Sequence, residues 1–514
     1  MNTSSVADAE LVRARLTLFG AIALLTLWRI WVITHSGITL YVDEAYYWGW
    51  SRELAWGYFS KPPMIAGLIA LTTAFLGDGL LGVKAASLIL YPATALLLFG
   101  LGRRLYDVRT ALYGALAFLI LPMTSALGLF ASTDAPLLFC WTAALWALHA
   151  ALKEARLRDW LLLGLICGLG LMSKYTMAAF LLSALVLLLG TPEGRAALRT
   201  PGPWLTAVVA LAILAPNLWW NWQNDFPTFR HTAEITHHEA AGSKGNTLEF
   251  IGAQFGSIGP LLALGLVGAL FGLRRAWQHE GDRLLVAGTL PLLLLVIAQS
   301  FTSEANANWA GPVYASGSLL AVAWLGRSAA RRRLLVAALA LNLAITVILY
   351  HSHGFLNLVA RPIASLAESI SGKHWPALDL AASGVQSAKL DPLKRMKGWD
   401  RLAQGLGPIV LSYPDAYVVA DERTLLAHVA YSLRSMQPRI ASWNPEHAHH
   451  DQYQITHSLP DAPGQDILYL AQRPPAEVAA RFAQSEELAR LRVTTHPDFA
   501  LETSVWLMRG FKGY

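Results

Sequence analysis

Cysteine and charge are what this chain has least of. Its 514 residues include only two cysteines, Cys140 and Cys167, both inside apolar runs, which excludes a disulfide framework and a cysteine-based metal site. Charged side chains make up 14% of the residues and hydrophobic ones 54%. Soluble domains carry about 25% charged residues, so an ordinary water-soluble fold is excluded. There is no Walker loop, no GxGxxG fingerprint and no DxD pattern on an inner loop, so a cytosolic nucleotide-sugar donor has no support. Acidic residues are missing from the middle of every apolar run, whereas ion-coupled transporters need them near mid-membrane. The net charge of +6 calls for no nucleic-acid partner, because loops flanking the apolar runs hold most of the excess.

Long apolar runs fill the first two-thirds, each suited to a hydrocarbon core of about 30 Å. They lie near 16–34, 84–102, 108–127, 137–152, 160–173, 176–190, 204–220, 249–272, 284–301, 312–326 and 334–350. The expectation is a polytopic α-helical membrane protein with about eleven transmembrane helices. The polar first residues and the lack of a small-residue cleavage site make the first run a retained span. Basic residues cluster at Arg13/Arg15, Arg103/Arg104/Arg109, Lys153/Arg156/Arg158, Arg195/Arg199, Arg274/Arg275/Arg283 and Arg327/Arg331/Arg332/Arg333. These fall in alternate loops, while the intervening loops hold only Arg52, Lys61, Lys84, Lys174, Arg230 and Lys244. By the positive-inside rule the N-terminus is cytoplasmic and the C-terminal tail is outside.

The first outer loop, 36–83, carries ITLYVDEAYYWGWSRELAWGYFSKPPM. Asp43 and Glu44 stand side by side in it, followed by Tyr46, Tyr47, Trp48, Trp50, Trp56, Tyr58 and Phe59, then Lys61-Pro62-Pro63. A helix is expected over about 44–55. A second, over 64–77, is too short to span comfortably and is expected to lie along the outer surface. Other outer segments are ASTDAP at 131–136, the short polar break Ser173-Lys174-Tyr175-Thr176, the His-, Glu- and Asn-rich loop 221–248, and FTSEANANWAGP at 301–312. Acids therefore recur at the outer rim, as suits an enzyme acting on the head group of a lipid-anchored substrate. A lipid-sugar flippase and a non-catalytic envelope-assembly subunit are the alternatives.

From about 351 the composition becomes that of a soluble domain. Two strand-like pieces in 408–420, a helix over 421–434, a strand over 466–472, a helix over 474–484 and a strand over 502–511 suggest a small α/β domain. The expected division is a transmembrane catalytic domain, 1–350, and an outer soluble domain, 351–514.

YVDEAYYWGWSRELAWGYFSKPPMIA resembles the signature of bacterial C-type membrane glycosyltransferases related to protein O-mannosyltransferases and to the lipid A aminoarabinose transferase. GDGLLGVKAASLI (77–89), STDAPLLFCWTAALWAL (132–148) and GLGLMSKYTMAAFLL (168–182) resemble the same group in order and spacing, as do GWDRLA and VVADERTLLAHVAYSL. The resemblance implies a C-type glycosyltransferase fold in the bacterial inner membrane with a periplasmic active site. It implies inverting transfer of a sugar from a polyprenyl-phosphate carrier to a lipid A, lipopolysaccharide core, other glycan or protein acceptor. Asp43 matches the essential acid of the first outer loop, Asp134 matches a second outer acid by position, and Lys61 resembles a lysine that contacts the carrier phosphate.

The chemistry needs a base for the acceptor hydroxyl and a cation for the departing phosphate. Asp43, Glu44 and Asp134 are the catalytic candidates. Lys61, Lys174, Tyr175, Tyr46, Tyr47 and Trp48 are the substrate-binding candidates, the lysines for phosphate and the aromatics for sugar rings. Each has a structural alternative: a helix start for Asp43-Glu44, a cap for Asp134, snorkelling for Lys174, anchoring for Lys61, and a boundary belt for the aromatics. No cofactor is called for. His231, His237, His238 and Glu239 invite a divalent metal but lack the i, i+4 spacing of a helical zinc pair, and His447, His449 and His450 read as a surface tract.

Overall fold

The computed structural model describes residues 3–236, 245–352, 368–369, 376, 386–447 and 449–514. It divides into two compact units. The first comprises Met1–Trp31, Ala55–Gly77 and Leu81–Thr346, and its regular structure is helical.

All eleven apolar runs are helical, but they differ in length. Six helices are long and apolar enough to cross a membrane: Ala7–His35, Leu80–Leu105, Asp134–Glu154, Gly202–Gln223, Glu280–Thr302 and Ala329–Tyr350. The run expected over 249–272 is two helices, Thr247–Ile258 and Pro260–Phe271, bent by 107°. The bend sits at Gly259, whose φ of +90° disfavours any side chain, and Pro260 follows it at the start of the next helix. Counted as one span, the pair makes seven. The other runs form shorter helices such as Val108–Leu119, Tyr175–Gly190 and Val313–Gly326.

Members of three of the basic clusters meet at one end of this unit. Arg104 pairs with Glu154 at 2.6 Å, Lys153 with Glu280 at 2.7 Å, and Arg156 with Asp159 at 2.9 Å. Asp282 accepts from Tyr106 Oη at 2.7 Å and pairs with Arg327. Asp134 and Glu154 terminate one helix of 21 residues, so at 1.5 Å per residue they stand about 30 Å apart. Asp134 thus marks the other end. Lys84, counted above as a loop residue, is instead inside the helix Leu80–Leu105 and fully buried.

The second unit comprises Val32–Leu54, Asp78–Leu80 and Val347–Tyr514. Its sheet has strands β1 (Tyr417–Ala420), β2 (Ile440–Ser442), β3 (Ile467–Ala471), β4 (Phe482–His496) and β5 (Phe499–Phe511), in the order β2-β1-β3-β5-β4. β1 runs parallel to β2 and β3, and β5 is antiparallel to β3 and β4. Val419, Tyr469, Met508 and Phe511 belong to its core.

Two expected elements are corrected here. The first strand-like piece of 408–420 is the end of a helix, Trp399–Ser412, because Leu402, Leu406 and Val410 bury one face at helical spacing. The helix expected over 474–484 is only Ala476–Ala480, and β4 starts at Phe482. The polar, charged run after it reads poorly as a strand. The ladder to β5, running from Phe482–Phe511 to His496–Phe499 with register shifts at Glu487/Ala489 and Thr494/His496, supplies the backbone partners that decide it.

Candidate active site

In the first unit, two segments distant in sequence converge on Asp134. The helix Leu157–Ser173 stops at Lys174, whose backbone is extended, and a short 3₁₀ turn, Tyr175–Ala179, follows. This break turns the Lys174 ammonium onto Asp134, with Nζ 2.9 Å from Oδ1. Asn308 Nδ2 donates to Oδ2 at 3.0 Å. The side chains are 4% exposed for Asp134 and 14% for Lys174. Lys174 therefore takes its acid from 40 residues upstream. The ammonium has three donors and Asp134 takes one.

Beside this pair, Tyr175 donates to Asn217 Oδ1 at 2.6 Å and accepts from Asn221 Nδ2 at 3.3 Å, and its ring stacks on Phe229. Asn217 Nδ2 donates to the Trp56 carbonyl at 2.8 Å, and Thr228 Oγ1 to that of Tyr58 at 2.7 Å. Residues 55–61 are thus clamped to the helix Gly202–Gln223 and the segment after it. Gly57 is required there, since a Cβ would lie 2.4 Å from the Trp220 ring and 2.9 Å from Asn217 Nδ2. The half-buried Lys61 closes the clamped loop, its carbonyl accepting from Tyr58 N–H at 3.2 Å. Tyr175, expected to contact substrate, has its hydroxyl committed to this clamp.

In the second unit, the helix Val42–Arg52 packs on the helix Arg423–Ser432. Asp43 is presented on its surface, 42% exposed, with Oδ1 3.6 Å from the Arg423 guanidinium. Glu44 points the other way. It is fully buried, and its Oε2 accepts from the Tyr41 backbone N–H at 2.8 Å. Glu44 thereby caps the helix start.

The aromatic candidates are enclosed: Tyr46, Tyr47 and Trp48 are 1%, 4% and 6% exposed. Tyr46 Oη accepts from the Gln452 backbone N–H, and its ring lies against Trp50, Tyr453 and the Arg423 guanidinium. Burial, with the Asp451 charge adding to it, holds the Tyr46 hydroxyl well above the usual phenol range. Trp48 Nε1 donates to Asp78 Oδ1 at 3.0 Å and meets Tyr431 edge-on. Arg52 completes that corner, 3.1 Å from Asp78 Oδ2. Arg423, Asn308 and Asn217 were not singled out from sequence as site residues, because nothing local marks them and only contacts across long separations give them partners.

His231 packs on Phe59 and lies 4.0 Å from Glu234. His237, His238 and Glu239 lie outside the described residues. Among those described, no group of three or more His, Cys, Asp or Glu is placed to hold a metal ion.

The family model for dolichyl-phosphate-mannose-protein mannosyltransferase matches residues 60–220. Lipid A galacturonosyltransferase RgtD of Rhizobium johnstonii is 30% identical over 448 residues, covering 87% of this chain and 88% of that one. The undecaprenyl phosphate-α-4-amino-4-deoxy-L-arabinose arabinosyl transferase of Pseudomonas aeruginosa is 39% identical over 137 residues, 26% of this chain and 25% of its own. The crystal structure of ArnT from Cupriavidus metallidurans bound to undecaprenyl phosphate superposes with a TM-score of 0.65, at 17% identity, over 96% of this chain and 97% of that one.

The fold is thus that of ArnT, a C-type glycosyltransferase fold with a C-terminal sheet domain. The chain belongs to the C-type membrane glycosyltransferases related to protein O-mannosyltransferases and the aminoarabinose transferase, a family that draws on lipid-phosphate-linked sugars. It is a multi-pass membrane enzyme, and the transporter and assembly-subunit alternatives fall away.

Proposed function

We propose that this enzyme transfers a sugar from a polyprenyl-phosphate carrier to lipid A at the periplasmic face of the bacterial inner membrane. The observation that carries this is the relative aligned over 87% of the chain, a lipid A galacturonosyltransferase. The ArnT structure with undecaprenyl phosphate supports the carrier class. The threading is eleven spans with the N-terminus cytoplasmic and the soluble domain, 351–514, outside. The basic clusters at one end of the bundle support that orientation.

In this reading Asp43 is the base. Its carboxylate is half-exposed, and Oδ2 accepts no hydrogen bond among the described residues, so that oxygen is available to take the proton of an acceptor hydroxyl as it attacks the anomeric carbon. Lys174, held by Asp134, offers its remaining N–H donors to the phosphate as the glycosyl bond breaks, and Lys61 adds a second cation. Attack opposite the leaving phosphate inverts the anomeric centre.

Asp43→Asn keeps the shape and removes the basicity. In reconstituted membranes with undecaprenyl-phosphate-linked sugar and lipid A, it should slow transfer about 10²–10⁴-fold with unchanged thermal unfolding. Near-normal turnover would remove Asp43 from the role. A reporter active only in the periplasm, fused after Tyr514, should be active, and one fused within Arg327–Arg333 should be silent. The reverse pair would overturn the threading.

A further inference from the structure

A polar cavity lies at the basic end of the membrane unit, about 30 Å from Asp134 along the helix Asp134–Glu154. Its volume is about 180 Å³, well above the ~10–15 Å³ that one water needs. His149, Lys153, Glu193, Glu280 and Arg283 supply its polar lining. Lys153 and Glu280 satisfy one another at 2.7 Å. His149 is 5% exposed; its Nδ1 is 3.4 Å from Glu280, and its Nε2 has no hydrogen-bond partner. Arg283 is half-buried, and its guanidinium forms no hydrogen bond or ion pair among the described residues. Glu193 stands exposed and equally unpaired.

What the cavity leaves unpaired is one cation, Arg283, and one carboxylate, Glu193. An unpaired guanidinium matches a phosphodiester, and a carboxylate matches an ammonium group. The two helices that bound the cavity through Leu187 and Leu284 also flank an apolar groove lined by Leu182, Leu189, Pro291, Leu294 and Leu295. Leu284 and Pro291 are seven residues apart on one helix, hence on one face. Leu182, Leu189, Leu294 and Leu295 are exposed there. Pro291 interrupts the helix ladder.

We propose that this is a binding site for phosphatidylethanolamine in the leaflet at the basic end. The phosphodiester meets Arg283, the ammonium meets Glu193, and an acyl chain lies in the groove. A soluble phosphate would use the same cation and leave the groove and the carboxylate unused.

The test is native mass spectrometry of the full chain released from detergent, titrated with dioleoyl phosphatidylethanolamine, dioleoyl phosphatidylglycerol or glycerophosphoethanolamine. Phosphatidylethanolamine should be retained preferentially. Arg283→Ala should weaken it about ten-fold, Arg283→Lys should restore part of that, and Glu193→Gln should narrow the gap to phosphatidylglycerol. Arg283 is outside the proposed catalytic set, so transfer activity serves as the folding control for each variant. Equal retention by folded Arg283→Ala, equal affinity for phosphatidylglycerol in the unaltered protein, or equally tight binding of the chain-free head group would each overturn the assignment.

Discussion

Lys174 offers the sharpest separation of folding from catalysis, because its structural partner is known in detail. Asp134 and Lys174 are 4% and 14% exposed and 2.9 Å apart. Replacing Lys174 by Met leaves a buried carboxylate with Asn308 as its remaining side-chain donor in the cluster. Breaking a buried pair from one side costs about 3–5 kcal/mol, whereas replacing both charges is often near neutral. Lys174→Met should therefore lower stability by about 3 kcal/mol or more, read from thermal unfolding in detergent by tryptophan fluorescence. The double change Lys174→Met with Asp134→Asn should recover most of that loss. Transfer activity should not recover, because the phosphate still lacks its cation. The apparent KM for the polyprenyl-phosphate donor should rise in the double variant, with the acceptor's less affected. A double variant regaining both stability and turnover would make the pair purely structural. A stable Lys174→Met single variant would show that the carboxylate is better solvated than its burial implies, and the energetic argument would fail.

Arg423→Ala should cost at most about 1 kcal/mol, since both partners of its ion pair are 42% exposed. It should nevertheless lower kcat about 10- to 100-fold by freeing the Asp43 carboxylate to rotate; unchanged kcat would exclude a positioning role. Gly57→Ala forces a methyl to within 2.4 Å of the Trp220 ring, so stability should fall by about 1–3 kcal/mol, with activity falling alongside; a variant that unfolds with the wild type would show that the clamp yields freely. His428 is stacked on Trp399, and burial lowers its pKa to about 3. The unfolded chain protonates this residue from about pH 6.5 downward and the folded chain only near 3, so the contribution is complete above 6.5 and is lost as pH falls. The loss should be about 2 kcal/mol at pH 5. His428→Phe should flatten that part of the pH–stability curve, and an unchanged slope would place the acid sensitivity elsewhere.

Much of the membrane unit was legible in the amino-acid order. Lipid admits only backbone that satisfies its own hydrogen bonds, so an apolar run of sufficient length reads as a helix without knowledge of its neighbours. The eleven runs are helical for that reason, and the helices Val42–Arg52 and Met64–Leu76 carry equally local signals, acids in one first turn and Pro62-Pro63 before the other. Local pattern also directed attention to Asp43, Asp134, Lys61 and Lys174. It misread what depends on distant partners. PIVLS looks like a strand, yet belongs to a helix whose buried face starts further upstream at Leu402. The polar run of β4 becomes a strand only because β5 folds back along it.

The site divides in the same way. Composition and spacing selected the charged and aromatic residues of 38–64, but a carboxylate does not announce in sequence whether it caps a helix or faces solvent. Tertiary packing turned Glu44 inward onto the Tyr41 N–H and left Asp43 outward beside Arg423. It enclosed Tyr46, Tyr47 and Trp48. It also brought Asp134 to Lys174 across 40 residues and Asn308 to Asp134 across 174. Helix-forming and membrane-crossing tendencies are properties of short stretches, set by hydrophobicity and backbone satisfaction. Which polar atoms end up paired is a property of the packed chain, since burying a charge away from water is tolerated only where another part of the fold supplies its partner.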